Sequence, residues 1–284
     1  MAQIIAIANQ KGGTGKTTTT LNLGAALKEI ENNVLLVDMD PQASLTLALG
    51  LNPDELEITI YTALKYVIEV GEMHPEKVIM TTDEGLDLIP SNIELSQADL
   101  DLVREPLGVY ALRDVLRPVV DNYDYILVDC PPTLGILTTN GLAAADQVII
   151  PLQADYLALK GVNLLLRTIA KIQRRANRRL KIAGVLLTMA DLRTLHAREI
   201  IATTRQAFDE RVPVFETVVK MSVRLKEAPI TGQSILSYAG DTTGAIAYRQ
   251  LARELTGQGI GPAHAASPST DKIEQAAKEV TENG

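Results

Sequence analysis

The chain has 284 residues, 46% of them hydrophobic, with one cysteine and a formal charge of −8. This length supports one well-covered α/β domain and is too short for two ordinary domains plus a linker, while scarce aromatics (4%, no Trp) beside plentiful Ala, Leu, Ile and Val argue against a β-sandwich. Cys130 cannot form an internal disulfide, the opening MAQIIAIAN has no signal-peptide pattern, and no apolar run reaches the ~18 residues that span a bilayer, so a soluble cytoplasmic protein with no membrane association is expected.

In chain order, Gln3–Asn9 is a short apolar run that ends in a Gly-rich turn. Thr17–Ile30 then carries Leu21, Leu23, Ala25, Ala26, Leu27 and Ile30 in a helical pattern. Further apolar runs at Val34–Val37, Leu86–Ile89, Tyr125–Val128, Val148–Leu152 and Ile182–Leu187 read as strands, and Val212–Val219 as one more. Helix-like segments separate most of them. The alternation predicts an α/β fold: a doubly wound, mostly parallel sheet with helices on both faces. Thr242–Leu255 reads as the last core helix, with Tyr248, Leu251 and Leu255 at helical spacing. Residues 1–256 are thus expected to form one domain. Residues 257–284 are expected to be a flexible linker, rich in Gly, Ala, Pro and Ser to Thr270, followed by a weak helix over Asp271–Val280. No internal repeat is present.

The chemistry begins at Gln10–Thr18, which reads QKGGTGKTT between the first strand and the first helix. Gly12, Gly13 and Gly15 let backbone N–H groups turn inward around phosphate oxygens at a helix N-terminus, where side chains would block the approach. The nucleotide-binding set is therefore Lys11, Gly12, Gly13, Thr14, Gly15, Lys16, Thr17 and Thr18. Lys16 is placed to neutralise the β- and γ-phosphates of ATP, and the Thr17 hydroxyl to ligate Mg²⁺. The strand before and the helix after supply the context that this P-loop NTPase motif requires.

Two strand ends add carboxylates: Asp38-Met39-Asp40-Pro41-Gln42 and Asp129-Cys130-Pro131-Pro132. At the C-terminal edge of a parallel sheet both face the crevice that holds the loop. Asp129 is the candidate for a water-mediated magnesium contact, and Asp40 for orienting the attacking water. Asp38 reads either as a second magnesium contact or as a helix cap or turn former.

Together, KGGTGKTT with its early Lys11, DMDPQ and ILVDCPP resemble the deviant Walker family of ParA and MinD. The likeness continues through QADYLALKGV, VRLKEAP and YAGDTTGAIAYRQLARE. It implies a catalytic set of Lys11, Lys16 and Asp40, with Lys11 reaching in trans to the partner's phosphates in a nucleotide-sandwich homodimer. The sequence departs from some members. One cysteine cannot hold an iron–sulfur cluster between subunits, and the tail DKIEQAAKEVTENG is not the basic amphipathic helix of MinD. The chain also starts at its first strand, so operator-specific binding through a preceding helix-turn-helix domain is not expected.

The small ParA class remains, which implies non-specific DNA binding, nucleoid association in the ATP state, and a ParB-like or cargo-adaptor protein that stimulates hydrolysis. Charge agrees: residues 155–230 hold 15 Lys+Arg against 7 Asp+Glu, a basic block on an acidic chain. Arg193 and Arg224 resemble DNA-contacting family positions. Where relatives commonly carry Pro-Arg, this chain has Lys220-Met221, and Lys220 is the candidate replacement. Arg174, Arg175, Arg178, Arg179 and Lys181 read equally as DNA contacts or as a solvated helix face. A metabolic ATP-dependent ligase or amidotransferase of the same superfamily is the alternative, although His74, His196 and His264 form no metal or triad spacing.

Overall fold

The computed structural model describes residues 1–71, 74–208 and 212–258. Among the described residues, eight strands make one sheet: β1 (Gln3–Ile7), β2 (Val34–Asp38), β3 (Met80–Thr81), β4 (Asp87–Ile89), β5 (Tyr125–Asp129), β6 (Gln147–Gln153), β7 (Lys181–Ala190) and β8 (Val214–Lys220). Their order is β3-β4-β2-β5-β1-β6-β7-β8. All pairings are parallel except β3 with β4. The two-residue β3 was not among the sequence expectations, because Met80-Thr81 is too short to show a period. The first strand ends at Ile7 and not at Asn9, since the Asn9 side chain turns the chain into the next loop.

Every long strand is apolar on both sides, and its two-residue side-chain period sorts those residues into two cores. Ile4, Ala6, Leu35, Val37, Ile126, Val128, Val148, Ile150, Val185 and Leu187 face one side. That side is covered by α3 (Ile60–Val70), α4 (Ala98–Arg104), α5 (Ala111–Leu116), α6 (Ile136–Ala144), α7 (Tyr156–Arg175) and α8 (Leu195–Phe208). Ile5, Ile7, Val34, Leu36, Leu127, Ile149 and Leu186 face the other. There they meet α1 (Lys16–Glu29), α2 (Ser44–Ala48), α10 (Ile235–Ala239) and α11 (Thr243–Leu255), while the short α9 (Arg224–Glu227) follows β8. The expected doubly wound sheet is what forms. The expected helix over Asp271–Val280 lies outside the described residues. Among the described residues no helix is long and apolar enough to cross a membrane.

Helix α1 is the element that couples fold and site, since it starts at the phosphate loop and lies on the central strands. Leu21, Leu23 and Leu27 are fully buried along it. Leu27→Ala removes a buried side chain beneath the helix that carries Lys16 and should cost about 2–5 kcal/mol. Urea denaturation reads this as a lower midpoint at unchanged slope; a loss under about 1 kcal/mol would mean that α1 is not anchored through this core.

Candidate functional site

The loop after β1 is built as an open cradle. Gly13 and Gly15 hold left-handed backbone angles (φ 71° and 86°), and a Cβ on Gly12 or Gly13 would meet nothing within 4 Å. Helix α1 begins at Lys16, so its first-turn N–H groups, which have no intrahelical acceptor, face this opening. Neighbouring strand ends hold the loop in place. Asn9 Nδ2 donates to Pro151 O at 2.7 Å while its Oδ1 accepts from Lys11 N at 3.1 Å. Past the C-terminal end of β1, Thr188 Oγ1 of β7 donates to Thr14 O at 2.8 Å. Asn9 and Thr188 were not singled out in the sequence; Thr188 lies 174 residues from its partner and has no motif around it.

The two lysines of the loop take different positions. Lys16 is 7% exposed and folds over the loop, its Nζ 3.4 Å from Lys11 O. Burial lowers its pKa, opposed by Asp129. Lys11 is 42% exposed and its Nζ lies 3.4 Å from Asp155 Oδ2, just past β6.

Parallel pairing of β2 with β5 sets Asp38 directly opposite Asp129, both essentially without solvent exposure. Asp129 accepts from Thr17 Oγ1 at 2.7 Å and from Thr20 Oγ1 at 3.3 Å, so the two residues expected to share a magnesium ion are already in contact. Asp38 is engaged differently. Its Oδ2 accepts from Thr46 N (2.9 Å) and Thr46 Oγ1 (2.8 Å), and its Oδ1 from Asp40 N (3.1 Å). Asp40 sits at the rim, 9% exposed, with Oδ1 accepting from Gln42 N at 3.0 Å. A threonine hydroxyl and crowded carboxylates form an all-oxygen donor set that suits a hard cation such as Mg²⁺. Among the described residues no group of three or more His, Cys, Asp or Glu could hold a metal alone, so phosphate oxygens and water would complete the shell.

The basic block does not stay together. Arg174 and Arg175 end α7, Arg178 and Arg179 follow, and Lys181 opens β7, which puts them at the N-terminal edge of the sheet. The phosphate loop is at the opposite, C-terminal edge. Arg193, Lys220 and Arg224 do lie on that edge: Ala190 pairs with Lys220, and Met221 N donates to Ala190 O at 3.1 Å. Two of the three are ion-paired, Arg193 with Asp191 (2.8 Å) and Arg224 with Glu227 (3.0 Å), whereas Lys220 is exposed and has no acidic partner among the described residues.

Burial raises the pKa of both Asp38 and Asp129, and for Asp129 the neighbouring Asp38 adds to the rise. A folded-state pKa above the ordinary carboxylate value near 4 contributes stability that is complete below that value and is lost as pH rises through the raised range. The ligand-free protein should therefore lose stability as pH climbs from about 4 towards neutrality, and Asp129→Asn should flatten that slope. Thermal melts across pH test this; an unchanged slope in the variant would mean that the pair does not carry the effect.

This geometry has close counterparts. A family model described as an AAA domain matches residues 2–182. The sporulation initiation inhibitor protein Soj of Bacillus subtilis is 44% identical over 259 residues, covering 91% of this chain and 100% of Soj. Cobyrinic acid a,c-diamide synthase from Mycobacterium smegmatis, solved with ADP and magnesium, superposes with a TM-score of 0.79 at 37% identity, covering 94% of this chain and 100% of that one. A McdA–ATP complex from Cyanothece gives a TM-score of 0.79 at 25% identity, covering 90% and 96%. With a family model across more than half its length and a relative matched from end to end, the chain belongs to the ParA/MinD family of P-loop ATPases.

Proposed function

We propose that this chain is a ParA-type positioning ATPase. It binds Mg-ATP, closes into a sandwich homodimer, holds DNA without sequence preference in that state, and releases it when a ParB-like or cargo-adaptor partner stimulates hydrolysis. The cargo is a plasmid, a chromosome origin or a protein body such as a microcompartment. The observation that carries the reading is the division between the two lysines: Lys16 covers its own loop, while Lys11 stands half exposed at the mouth, turned away from that loop to a partly exposed ion pair with Asp155.

Within one protomer the loop N–H groups and Lys16 take the triphosphate charge, and Thr17 and Asp129 would hold Mg²⁺ between them. Bound magnesium neutralises phosphate charge and helps fix the leaving group. Asp40, at the rim, orients the attacking water. Phosphoryl transfer has a loose transition state, so placing that water and stabilising charge supply most of the acceleration. Lys11 from the partner brings a further cation to the γ-phosphate region, which makes dimer formation and hydrolysis depend on the same contact.

A metabolic, amide-forming enzyme is the second reading, favoured by the name of the M. smegmatis relative and by the ion pairs that partly neutralise Arg193 and Arg224. DNA binding separates the two.

Lys11→Ala should leave nucleotide affinity near that of the parent and remove the ATP-dependent dimer, read by titration calorimetry and light scattering. An equal loss of nucleotide affinity would place Lys11 within its own subunit's site.

For DNA, dimerisation joins two patches of Arg193, Lys220 and Arg224 on one face and about doubles the phosphates neutralised. Binding should then require ATP, tolerate any sequence, and fall with salt at a log–log slope of about −0.9 per phosphate contact. Lys220→Glu with Arg224→Glu should weaken it at unchanged nucleotide affinity. Binding that is insensitive to salt or equal with ADP would count against the clamp, and no DNA binding at all would favour the metabolic enzyme.

A further inference from the structure

The loop that carries Asp40 is held by a buried hydrogen-bond circuit that none of the nucleotide chemistry uses. After Asp40 the chain reverses at Ala43, which adopts a left-handed angle (φ 51°). That reversal starts α2 in the direction that returns Thr46 to Asp38. Thr46 then donates twice to Asp38 Oδ2, and Asp38 Oδ1 takes the N–H of Asp40. From the other side comes Ser91, just past β4, whose parallel pairing with β2 brings it level with the loop. Ser91 Oγ donates to Asp40 O at 2.9 Å, and Ser91 N donates to Thr46 Oγ1 at 3.0 Å. Asp38, Thr46 and Ser91 all have 0% exposure. The circuit is closed, and Asp40 is gripped at both its N–H and its carbonyl while its carboxylate stays at the rim.

We infer that Asp38, Thr46 and Ser91 are positioning residues that fix the aim of the Asp40 carboxylate, with Asp38 acting through these hydrogen bonds instead of as a metal ligand. The chemistry of the donor set agrees. Asp38 already accepts three hydrogen bonds of the four or so that a carboxylate takes, and none comes from the phosphate loop. Asp129, by contrast, accepts from Thr17 and Thr20 of the helix that starts at that loop. The inference rests on the proposed role of Asp40 in orienting water. It adds that this role is set by residues from three separated stretches of chain, and that nucleotide binding and hydrolysis are therefore separable by substitution away from the phosphate loop.

The cleanest probe is Ser91→Ala, which removes the side-chain hydrogen bond to the Asp40 carbonyl while Ala43 N still donates to that oxygen at 2.9 Å and the Ser91 N–H stays on Thr46. Thr46→Val breaks the circuit at its centre, and Thr46→Ser keeps the hydroxyl. With the full chain preloaded with Mg-ATP, single-turnover phosphate release should fall on the order of tenfold to a hundredfold in Ser91→Ala and Thr46→Val, with Mg-ATP affinity unchanged. Thr46→Ser should recover most of the rate. Asp40→Ala is run beside them. If it abolishes hydrolysis while Ser91→Ala and Thr46→Val turn over normally, the positioning circuit is refuted and the role of Asp40 stands. If Asp40→Ala hydrolyses ATP normally, the reading beneath the inference fails. Rate and affinity falling together, or Thr46→Ser behaving like Thr46→Val, would reduce the circuit to a packing role. Should Ser91→Ala not fold, judged by thermal melting, the Thr46 pair carries the comparison.

Discussion

Two carboxylates buried side by side, Asp38 and Asp129, are the constraint around which the site is organised. Placing like charges together in a poorly solvated crevice is unfavourable, and the structure answers with donors specific to each. Asp129 is met by hydroxyls of α1, which ties it to the phosphate loop. Asp38 is met by Thr46 and the Asp40 N–H, which ties it to the neighbouring loop. Lys16, itself buried, supplies positive charge toward Asp129. Parallel register between β2 and β5 thus does two jobs: it joins β2 to the centre of the sheet and sets Asp38 level with Asp129.

Much of this was legible in the sequence because the phosphate loop and the two acidic strand ends are local patterns. QKGGTGKTT needs only a strand before it and a helix after it, and DMDPQ and VDCPP each follow directly from an apolar run. The sheet was equally readable, since strands buried on both faces are continuous apolar stretches. What stayed hidden depends on long-range pairing. Thr188 matters because β7 ends beside the phosphate loop, and Ser91 because β4 ends beside Asp40; each is an ordinary hydroxyl until the strand order is known. The division of the basic block was hidden for the same reason. Arg174 to Lys181 precede or open β7 and Arg193 follows it, so the two ends of that strand deliver the charges to opposite edges of the sheet.

The C-terminal edge gathers the phosphate loop, the two carboxylate loops, and the turns after β7 and β8. These turns are joined to the loop through very few bonds. Thr188 touches Thr14, and two residues later Ala190 pairs with Lys220. Between them Met189 holds a left-handed backbone angle (φ 53°), an unfavourable conformation for a residue with a side chain, sustained by its surroundings. The loop is therefore linked to the turn that bears Arg193 by one hydrogen bond and the short stretch of chain from Thr188 to Arg193.

Two of the exposed cations of this edge are matched to acids of their own turns, Arg193 to Asp191 and Arg224 to Glu227. Exposed ion pairs in water are weak and screened by salt, so a polyanion presenting many phosphates competes with the local carboxylates only when several cations act at once. One protomer offers few of them, and Lys220 is the member without an acidic partner among the described residues. On the proposed reading, these local acids would set a threshold that the cations of one chain do not reach and the joined cations of two chains do. A strongly acidic protein can in this way bind an acidic polymer conditionally, because the deciding quantity is the number of cations brought to one face and not the net charge of the molecule.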